Sequence, residues 1–417
     1  MSRSTRVTEH SPRSRTRPLF LSALLGGICL LTGCAAVNSL SKSFSQAPDA
    51  SAPISPSASP AASPQPQHYS TEAQLVAVGD IMMHGSQIQS GYDPTTQTYR
   101  YDSFFEPVRD ILAQGDWVIA NLETPLAGAD LEYTGYPRFN APDSLADALQ
   151  AAGFNILTTA NNHSLDRGEI GILNTLKTVQ ARGLYPVGTD ASPEEAQQIL
   201  ILEKQQIRMA MLAYTYGTNG IPIPEAKGYL VSLIDEAKII QDIAEAKRQG
   251  ADFVTVMLHF GTEYQRQPNA EQQRLVAVLI RAGADVILGS HPHVVQPYEV
   301  LELVGDGAIK GGVRKGAVIY SMGNFISNQR GGYKEFGVIF QVKVRKKFPE
   351  QTTEITDIKA LLTWVYRYSA SGKYQFRVLP LQALLTTQSD PLISAGQYAQ
   401  LQSDLDQMNR HLTSLFP

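Results

Sequence analysis

The chain has 417 residues and a net charge of −4 at pH 7, with 35 basic and 39 acidic side chains. Because nucleic-acid-binding domains normally present a basic surface, this balance argues against a nucleic-acid partner. With 43% hydrophobic residues, the chain is long enough for one large globular domain or two modest ones.

The first 33 residues are typical of an export signal. Five arginines precede an apolar run from Leu19 to Leu31, which is too short to span a membrane. The segment ends in Leu31-Thr32-Gly33-Cys34, which resembles a bacterial lipoprotein cleavage site. We therefore expect residues 1–33 to be removed and Cys34 to carry a lipid that holds the protein on a membrane, outside the cytoplasm. Cys29 leaves with the signal, so the mature fold is expected to contain no disulfide.

Residues 34–67 are rich in Ala, Ser and Pro and contain few large apolar side chains. Such a segment cannot bury enough surface to offset the entropy lost on ordering, so we expect a flexible tether. The globular domain is expected to cover residues 68–390. Residues 391–417 are expected to form a C-terminal helix that packs on this domain.

The globular part alternates short apolar strands with helix-period segments, which predicts an α/β fold. Strands with polar residues at their ends are predicted at Gln74–Val78, Trp117–Ala120, Phe154–Ala160, Phe253–Leu258, Ala284–Leu288 and Ala317–Ser321. Helices that stop at a glycine are predicted at Asp143–Ala152, Glu169–Arg182, Leu233–Gln249 and Asn269–Ala282. A hairpin is predicted at Ile199–Thr215, further strands at Phe336–Lys343, Ile358–Tyr368 and Tyr374–Leu381, and a final helix at Ala395–Leu412. We expect two mixed sheets packed together under helices.

Nearly every strand of the first group is followed by a residue that can bind a metal ion. These residues are Asp80, Glu123, Asn162, His259, His291 and His293. Ligand sites of α/β folds lie at the carboxyl ends of strands, so the joint pattern favours one metal site, although each residue alone could be a turn or surface residue. A two-metal hydrolase needs a carboxylate that bridges both ions. Glu123 is the candidate bridge, because its turn lies between the two halves of the set.

The segment from Gly289 to His293 presents two histidines at a predicted strand end. Pro292 favours an extended backbone at His291. In an extended chain, residues two apart project to the same side, roughly 6–7 Å apart. Each imidazole could then bind one ion of a metal pair, whereas the alternative is two unrelated surface histidines.

Six motifs together resemble the poly-gamma-glutamate capsule biosynthesis family, whose members are CapA-like. They occur in the family's order: Gly79-Asp80, Asn121–Pro125, Ala160–Asp166, His259–Tyr264, Gly289–Gln296 and Tyr320–Phe325. This family is in turn similar to the calcineurin-like metallophosphoesterases. The resemblance implies a four-layer α/β/β/α sandwich with mixed sheets and two divalent transition-metal ions at one edge, which could be Mn, Fe or Zn.

The resemblance also implies a role for each residue. The first metal ion would be held by Asp80, Glu123 and His293. The second would be held by Glu123, Asn162, His259 and His291. A metal-bound hydroxide would attack the substrate. His163 would protonate the leaving group as general acid, and Asp166 would orient it.

The sequence departs from the wider superfamily near Asp80. Two residues further on, where the superfamily has a histidine, stands Met82, a poor ligand for hard ions. His84 is a possible replacement ligand. The bridge, moreover, is Glu123 where the superfamily uses an aspartate. The first metal site could therefore be weak or empty, which puts phosphoesterase activity in doubt.

Four more residues are candidates for substrate binding in the cleft: Glu263, Tyr264, Gln296 and Glu299. Three functions stay open. The first is a lipid-anchored, metal-dependent hydrolase acting on cell-surface material. The second is a non-catalytic factor for capsule polymer synthesis, export or anchoring, with a structural or polymer-binding metal site. The third is a hydrolase or transpeptidase of gamma-glutamyl amide bonds. The expected partners are the membrane and a cell-surface polymer or the capsule machinery.

Overall fold

The structure is a computed structural model, and it describes residues 67–304 and 313–415. The expected signal, the expected lipid on Cys34 and almost all of the expected tether lie outside the described residues. Within the described ranges, no helix is long and apolar enough to cross a membrane.

The strands and helices of the described residues are numbered in chain order. The strands are β1 (Tyr69–Ile81), β2 (Tyr92–Asp93), β3 (Thr98–Tyr99), β4 (Trp117–Leu122), β5 (Ile156–Thr158), β6 (Tyr185–Val187), β7 (Leu200–Lys204), β8 (Ile207–Thr215), β9 (Phe253–His259), β10 (Val286–Ser290), β11 (Val295–Val304), β12 (Val313–Met322), β13 (Asn324–Ile326), β14 (Phe336–Phe348), β15 (Thr352–Ala370) and β16 (Lys373–Pro380). The helices are α1 (Gly85–Gly91), α2 (Asp102–Phe105), α3 (Arg109–Leu112), α4 (Ser144–Ala152), α5 (Gly168–Gln180), α6 (Glu236–Arg248), α7 (Ala270–Ala282), α8 (Leu381–Thr387) and α9 (Ala395–Leu412).

Two large mixed sheets form the centre of the fold. Sheet 1 has the strand order β16-β15-β14-β1-β4-β5-β6, with β13 paired to β1, and sheet 2 has the order β11-β12-β10-β9-β8-β7. In sheet 1, β1, β4, β5 and β6 run parallel. In sheet 2, β8, β9, β10 and β12 run parallel. Each sheet therefore gathers the carboxyl ends of four strands at one edge.

Apolar side chains arrange the sheets and helices in four layers. Along β1, Leu75 and Ala77 lie in a buried cluster shared with sheet 2, whereas Val76 and Val78 lie in a cluster with α1–α5. This alternation follows from strand geometry, in which successive side chains point to opposite faces. The outer face of sheet 2 packs on α6 and α7. The expected α/β/β/α sandwich is therefore confirmed.

The predicted hairpin is confirmed, since β7 and β8 pair in antiparallel fashion from Leu200–Met211 to Lys204–Ile207. Strand β11 was not predicted. It contains Pro297, which lacks the N–H that a central strand needs, but β11 is the edge strand of sheet 2, where that loss is tolerated. The strand matters for the site because it begins two residues after His293.

The last helix, α9, lies beside this edge strand. Its start is fixed by a capping box in which Ser394 and Gln397 each bond the other's backbone N–H. Its buried side chains join the cluster between the sheets. Near its end, Nε2 of His411 lies 3.0 Å from the carbonyl oxygen of Val295. Helix α9 thus covers the chain that leaves the two histidines.

Candidate metal centre

The six candidate ligands lie where the strand ends of both sheets meet, and all are buried. Sheet 1 provides three of them at or just after the ends of β1, β4 and β5, namely Asp80, Glu123 and Asn162. Sheet 2 provides the other three at or just after the ends of β9 and β10, namely His259, His291 and His293. The convergence follows from the parallel strands, because their carboxyl ends share one edge of each sheet.

Three groups of carboxylates and imidazoles could each hold a metal ion, since one ligand atom per residue lies within 4.8 Å of the others. The groups are Asp80-Glu123-His293, Glu123-His259-His291 and Glu263-His291-His293. The first two share Glu123, which is the arrangement that a bridging carboxylate requires. The third brings in Glu263, which the sequence placed in the cleft.

Glu123 fits a metal ligand better than a structural residue. Both of its carboxylate oxygens are buried, and neither has a hydrogen-bond partner among the described residues. Burial, and then the charge of Asp80, raises the pKa of Glu123 well above its usual value. A buried carboxylate without donors is costly unless a cation neutralises it. Nδ1 of His291 is likewise buried and without a partner in the described part of the chain.

Two of the histidines are held in the neutral form that metal binding needs. Burial lowers the pKa of both His259 and His291 to about 3. His259 is oriented from one side by Ser290 Oγ, 2.9 Å from Nδ1, and by Asn121 Nδ2 at 3.2 Å. Its Nε2 lies 3.5 Å from Glu123 Oε1. Polar neighbours of this kind fix the direction in which a ligand presents its other nitrogen, and Nε2 of His259 also lies 3.0 Å from Oδ1 of the candidate ligand Asn162.

His293 has the opposite tendency. Burial lowers its pKa, but the carboxylates of Glu123 and Asp80 outweigh burial and raise the pKa to about 9. Its Nδ1 lies 3.1 Å from Asp80 Oδ2, and its Nε2 lies 3.7 Å from Glu123 Oε1. A proton on His293 thus partly neutralises the two carboxylates, and a metal ion held by all three residues would displace that proton.

The backbone of the two histidines is left-handed. His291 has a φ of +99° and His293 a φ of +57°. The expected extended conformation of His291 is therefore wrong. Their rings are nevertheless side by side, with centroids 6.0 Å apart. Positive φ at a residue other than glycine costs on the order of 1–3 kcal/mol, and such strain is concentrated at functional sites.

His163 lies in the turn after β5, next to Asn162. Its Nδ1 is 2.7 Å from Oδ2 of Asp166, and the same oxygen accepts the N–H of Phe139 at 2.7 Å. Because Nδ1 is engaged, Nε2 is the nitrogen left for proton exchange. His163, Asn162, Asp166 and Glu263 line one cavity of about 260 Å³. The imidazole therefore shares a cavity with a candidate metal ligand.

His84 is not brought into any of the three ligand groups. It precedes α1 as the N-cap residue, and its Nδ1 lies 3.4 Å from the N–H of Asn328. Burial lowers its pKa to about 4. Met82 is also buried. The role of His84 as a replacement ligand stays a prediction.

The four cleft candidates divide into two pairs. Tyr264 is 49% exposed with its ring 6.2 Å from that of His293, and Glu263 lines the cavity of His163. Gln296 is fully buried, and its amide bonds the carbonyls of residues 265 and 267. Glu299 accepts a hydrogen bond from the hydroxyl of Tyr320. The structure thus places only the first pair beside the ligand cluster, and Gln296 supports the loop that carries them.

Several neighbours of the ligands were not singled out from the sequence. Asn121 is fully buried and places its Nδ2 2.8 Å from Asp80 Oδ1. Tyr216 has its ring 4.6 Å from that of His291, and Asn219 accepts a hydrogen bond from Asn162 at 3.1 Å. Tyr216 and Asn219 follow β8, another strand of the parallel set, so its carboxyl end was the signal that could have found them.

Comparison with known proteins assigns the chain to a family. Residues 74–329 match the family described as bacterial capsule synthesis protein PGA_cap. Because the match covers more than half of the chain, the protein belongs to this family, and the resemblance found in the sequence is confirmed.

Individual relatives show how far the likeness extends. The chain is 30% identical over 278 residues to the capsule biosynthesis protein CapA of Bacillus anthracis, covering 64% of this chain and 63% of that protein. It is 31% identical over 279 residues to the PGA biosynthesis protein CapA of Bacillus subtilis, covering 64% and 67%. The match thus spans slightly less than two thirds of the Bacillus anthracis protein. Among solved structures, the NAD nucleotidase of Haemophilus influenzae is 15% identical with a TM-score of 0.45, covering 83% of this chain and 68% of that chain.

Proposed function

We propose that this family member is a metal-dependent hydrolase of capsule-type polymer or its precursors, with His163 as the general acid. The observation that carries the proposal is the contact of 2.7 Å between His163 Nδ1 and Asp166 Oδ2. It lies in the wall of a cavity that also contains the candidate ligand Asn162. A histidine oriented by a buried carboxylate beside a metal site is suited to proton transfer.

The metal ions would be two divalent transition-metal ions bridged by Glu123. The orphaned oxygens of Glu123 and the orphaned Nδ1 of His291 support this ligand set. One ion would be held by Asp80, Glu123 and His293. The other would be held by Glu123, Asn162, His259 and His291. Bound there, the ions would supply Lewis-acid activation and neutralise developing negative charge.

The protein's own residues orient the imidazole that would donate the proton to the substrate. Phe139 donates its N–H to Asp166 and so fixes the carboxylate. Asp166 then accepts the Nδ1–H of His163 and fixes the orientation of the ring. With Nδ1 held, the Nε2–H of His163 is the group available to protonate the leaving atom of the substrate. A general acid placed in this way contributes about 10²–10⁴-fold to the rate.

The test is hydrolysis by full-length protein loaded separately with Mn²⁺, Fe²⁺ or Zn²⁺. Aryl phosphoesters and gamma-glutamyl peptides are offered in parallel, since the bond attacked decides between phosphoesterase and amide hydrolase. We expect His163→Ala to retain its metal and lose hydrolysis. His68→Ala is the control, because His68 is exposed and paired with Glu350. Stoichiometric metal without hydrolysis of any substrate would reject the hydrolase in favour of a non-catalytic capsule factor.

We also propose that the protein is held on a membrane by a lipid on Cys34, with residues 34–67 as the tether. The support for the lipid is the motif Leu31-Thr32-Gly33-Cys34 after the apolar run, and the support for the tether is the Ala-, Ser- and Pro-rich composition of residues 34–67. Expression of the full-length gene with Cys34→Ala is expected to release the protein from the membrane fraction. Cys29→Ala is the matched control, because Cys29 precedes the expected cleavage site and its loss should change nothing. A Cys34→Ala protein that remains in the membrane contradicts the anchor.

A further inference from the structure

Two cations beside the candidate metal centre lack a carboxylate partner among the described residues. Arg138 lines the cavity of His163, and its guanidinium has no hydrogen bond or ion pair within the described ranges. Glu263 lines the same cavity but forms no ion pair with Arg138 in the described part of the chain. The Lys334 ammonium lies 4.9 Å from the centre of the Tyr264 ring and likewise has no ion pair in the described part of the chain. Both charges are therefore free to bind an anion.

Arg138 is fixed relative to His163. The next residue, Phe139, donates its N–H to Asp166, the carboxylate that holds His163. The carbonyl of Arg138 accepts a hydrogen bond from Arg167. Its loop is closed by a β-bridge between Thr134 and Asn140. The backbone that carries this guanidinium is thus tied to the proposed general acid by one buried carboxylate.

The backbone of Lys334 is tied in a similar way to the candidate ligand His293. The side-chain nitrogen of Asn324 donates to the carbonyl of His293 at 3.2 Å and to the carbonyl of Lys334 at 2.8 Å. Asn324 is fully buried. One buried amide therefore ties the backbone of this lysine to a candidate metal ligand.

Exposed tyrosines accompany both cations. Tyr136, two residues before Arg138, is 74% exposed, and Tyr264, under Lys334, is 49% exposed. Tyr216, against His291, is 49% exposed. Tyrosine combines an apolar ring with a polar tip and is enriched at binding surfaces. Three exposed tyrosine rings near the buried ligand cluster therefore offer contact area for a ligand larger than a single small anion.

We infer that the site binds a chain of acidic units, with one acidic group on Arg138 beside His163 and another on Lys334 beside His293. Arginine can hold a carboxylate or phosphate with two parallel hydrogen bonds, and lysine acts as a point charge. The position of the reacting bond between the two anchors rests on the proposed hydrolase function. The anchoring itself concerns binding alone and is measured without turnover.

The experiment measures binding of a fluorescein-labelled, gamma-linked glutamate pentamer to full-length, Mn²⁺-loaded protein by fluorescence anisotropy. Arg138→Ala and Lys334→Gln are each expected to weaken binding about tenfold, the usual scale of one charge-assisted contact. The controls are Arg281→Ala and Lys177→Gln, exposed cations near the ends of α7 and α5 without an ion pair among the described residues. A neutral, gamma-linked glutamine pentamer should bind all of these proteins alike.

Tripolyphosphate, used as a competitor, separates the two sources of negative charge. If its affinity falls in both cation variants and that of the glutamate pentamer does not, the acidic groups are phosphates and the two anchors stand. An equal loss for the glutamine pentamer, or a loss in only one of the two variants, overturns the inference. The expected binding pattern in a protein without any hydrolysis keeps the inference and rejects the hydrolase. If hydrolysis requires His163 but binding is unchanged in both variants, the hydrolase stands and the inference is rejected.

Discussion

Asp166 and His163 form a buried pair in which Oδ2 of the aspartate lies 2.7 Å from Nδ1 of the histidine. The pair lies in the turn that follows β5, where His163 comes one residue and Asp166 four residues after the candidate metal ligand Asn162. Since Asp166 also accepts the N–H of Phe139, it connects the histidine to the loop that carries Arg138. Proton transfer and substrate binding would therefore depend on the same carboxylate.

The first prediction is that Asp166→Asn lowers kcat about 10²-fold or more while metal content is unchanged. The asparagine oxygen can take the place of Oδ2 and accept both the N–H of Phe139 and the Nδ1–H of His163. It is uncharged, however, so the hydrogen bond that orients His163 becomes weaker and the ring is held less firmly for proton transfer. The measurement combines steady-state kinetics with metal analysis. Asp147→Asn is the control, because Asp147 is an exposed partner of Arg182 on the surface. Unchanged kcat in Asp166→Asn would contradict the orienting role.

The second prediction concerns Glu123→Gln. Loss of the bridging carboxylate should abolish binding of both metal ions. In chelator at pH 8, however, the variant should be more stable than the unsubstituted protein by about 1–3 kcal/mol, because it removes a carboxylate that is buried without hydrogen-bond donors beside the like charge of Asp80. The raised pKa of Glu123 means that the folded protein holds this proton more tightly, so stability is lost as pH rises. Denaturation at pH 5 and pH 8 measures the difference, which should shrink at pH 5. A variant that is less stable at pH 8 would show instead that the contacts of Glu123 with His259 and His293 outweigh the cost of its burial.

The candidate ligands could be predicted because each lies at or just after the end of a strand. A run of apolar residues followed by Asp80, Glu123 or His259 shows both the strand and its polar end, and parallel pairing brings the ends together. Asn121 was missed because it lies inside β4 and faces the site only through strand alternation. Its partner Asp80 comes from a different strand, and that register cannot be read from either segment alone.

The backbone around His291 illustrates a second limit. Pro292 indicates an extended residue before it, yet His291 is left-handed. At Gly289, an added Cβ would lie 1.9 Å from the carbonyl oxygen of Tyr320, so the end of β10 is pressed against β12. Packing of this kind decides the local conformation, and a local sequence pattern does not contain it. The same holds for Arg138, which reaches the site through a loop held by Asp166.

The third prediction tests Asp190, a carboxylate away from the metal centre. Burial, and then the charge of Glu195, raises the pKa of Asp190 to about 6. Because the pKa of Asp190 is raised in the folded state, its protonated form stabilises that state. The free energy of unfolding therefore falls as the pH rises through about 6 and the carboxyl ionises. Asp190→Asn should therefore raise the free energy of unfolding by about 1–2 kcal/mol at pH 8 and by much less at pH 4.5. Urea denaturation at both pH values checks this. The exposed Asp130→Asn should show no such difference, and a gain that is equal at both pH values argues against titration of Asp190.

The last prediction separates support of the loop from contact with substrate at Gln296. Its amide nitrogen donates to the carbonyls of residues 265 and 267, and its oxygen accepts from Gln272. Gln296→Ala leaves the two partly buried carbonyls and the buried amide of Gln272 without these partners, which should lower the free energy of unfolding by about 1–3 kcal/mol. Hydrogen exchange should increase in residues 261–268, which carry Glu263 and Tyr264. Tyr264→Phe keeps the loop bonds and should leave exchange unchanged. If Gln296→Ala alters ligand affinity without any change in exchange, then Gln296 contacts the substrate directly.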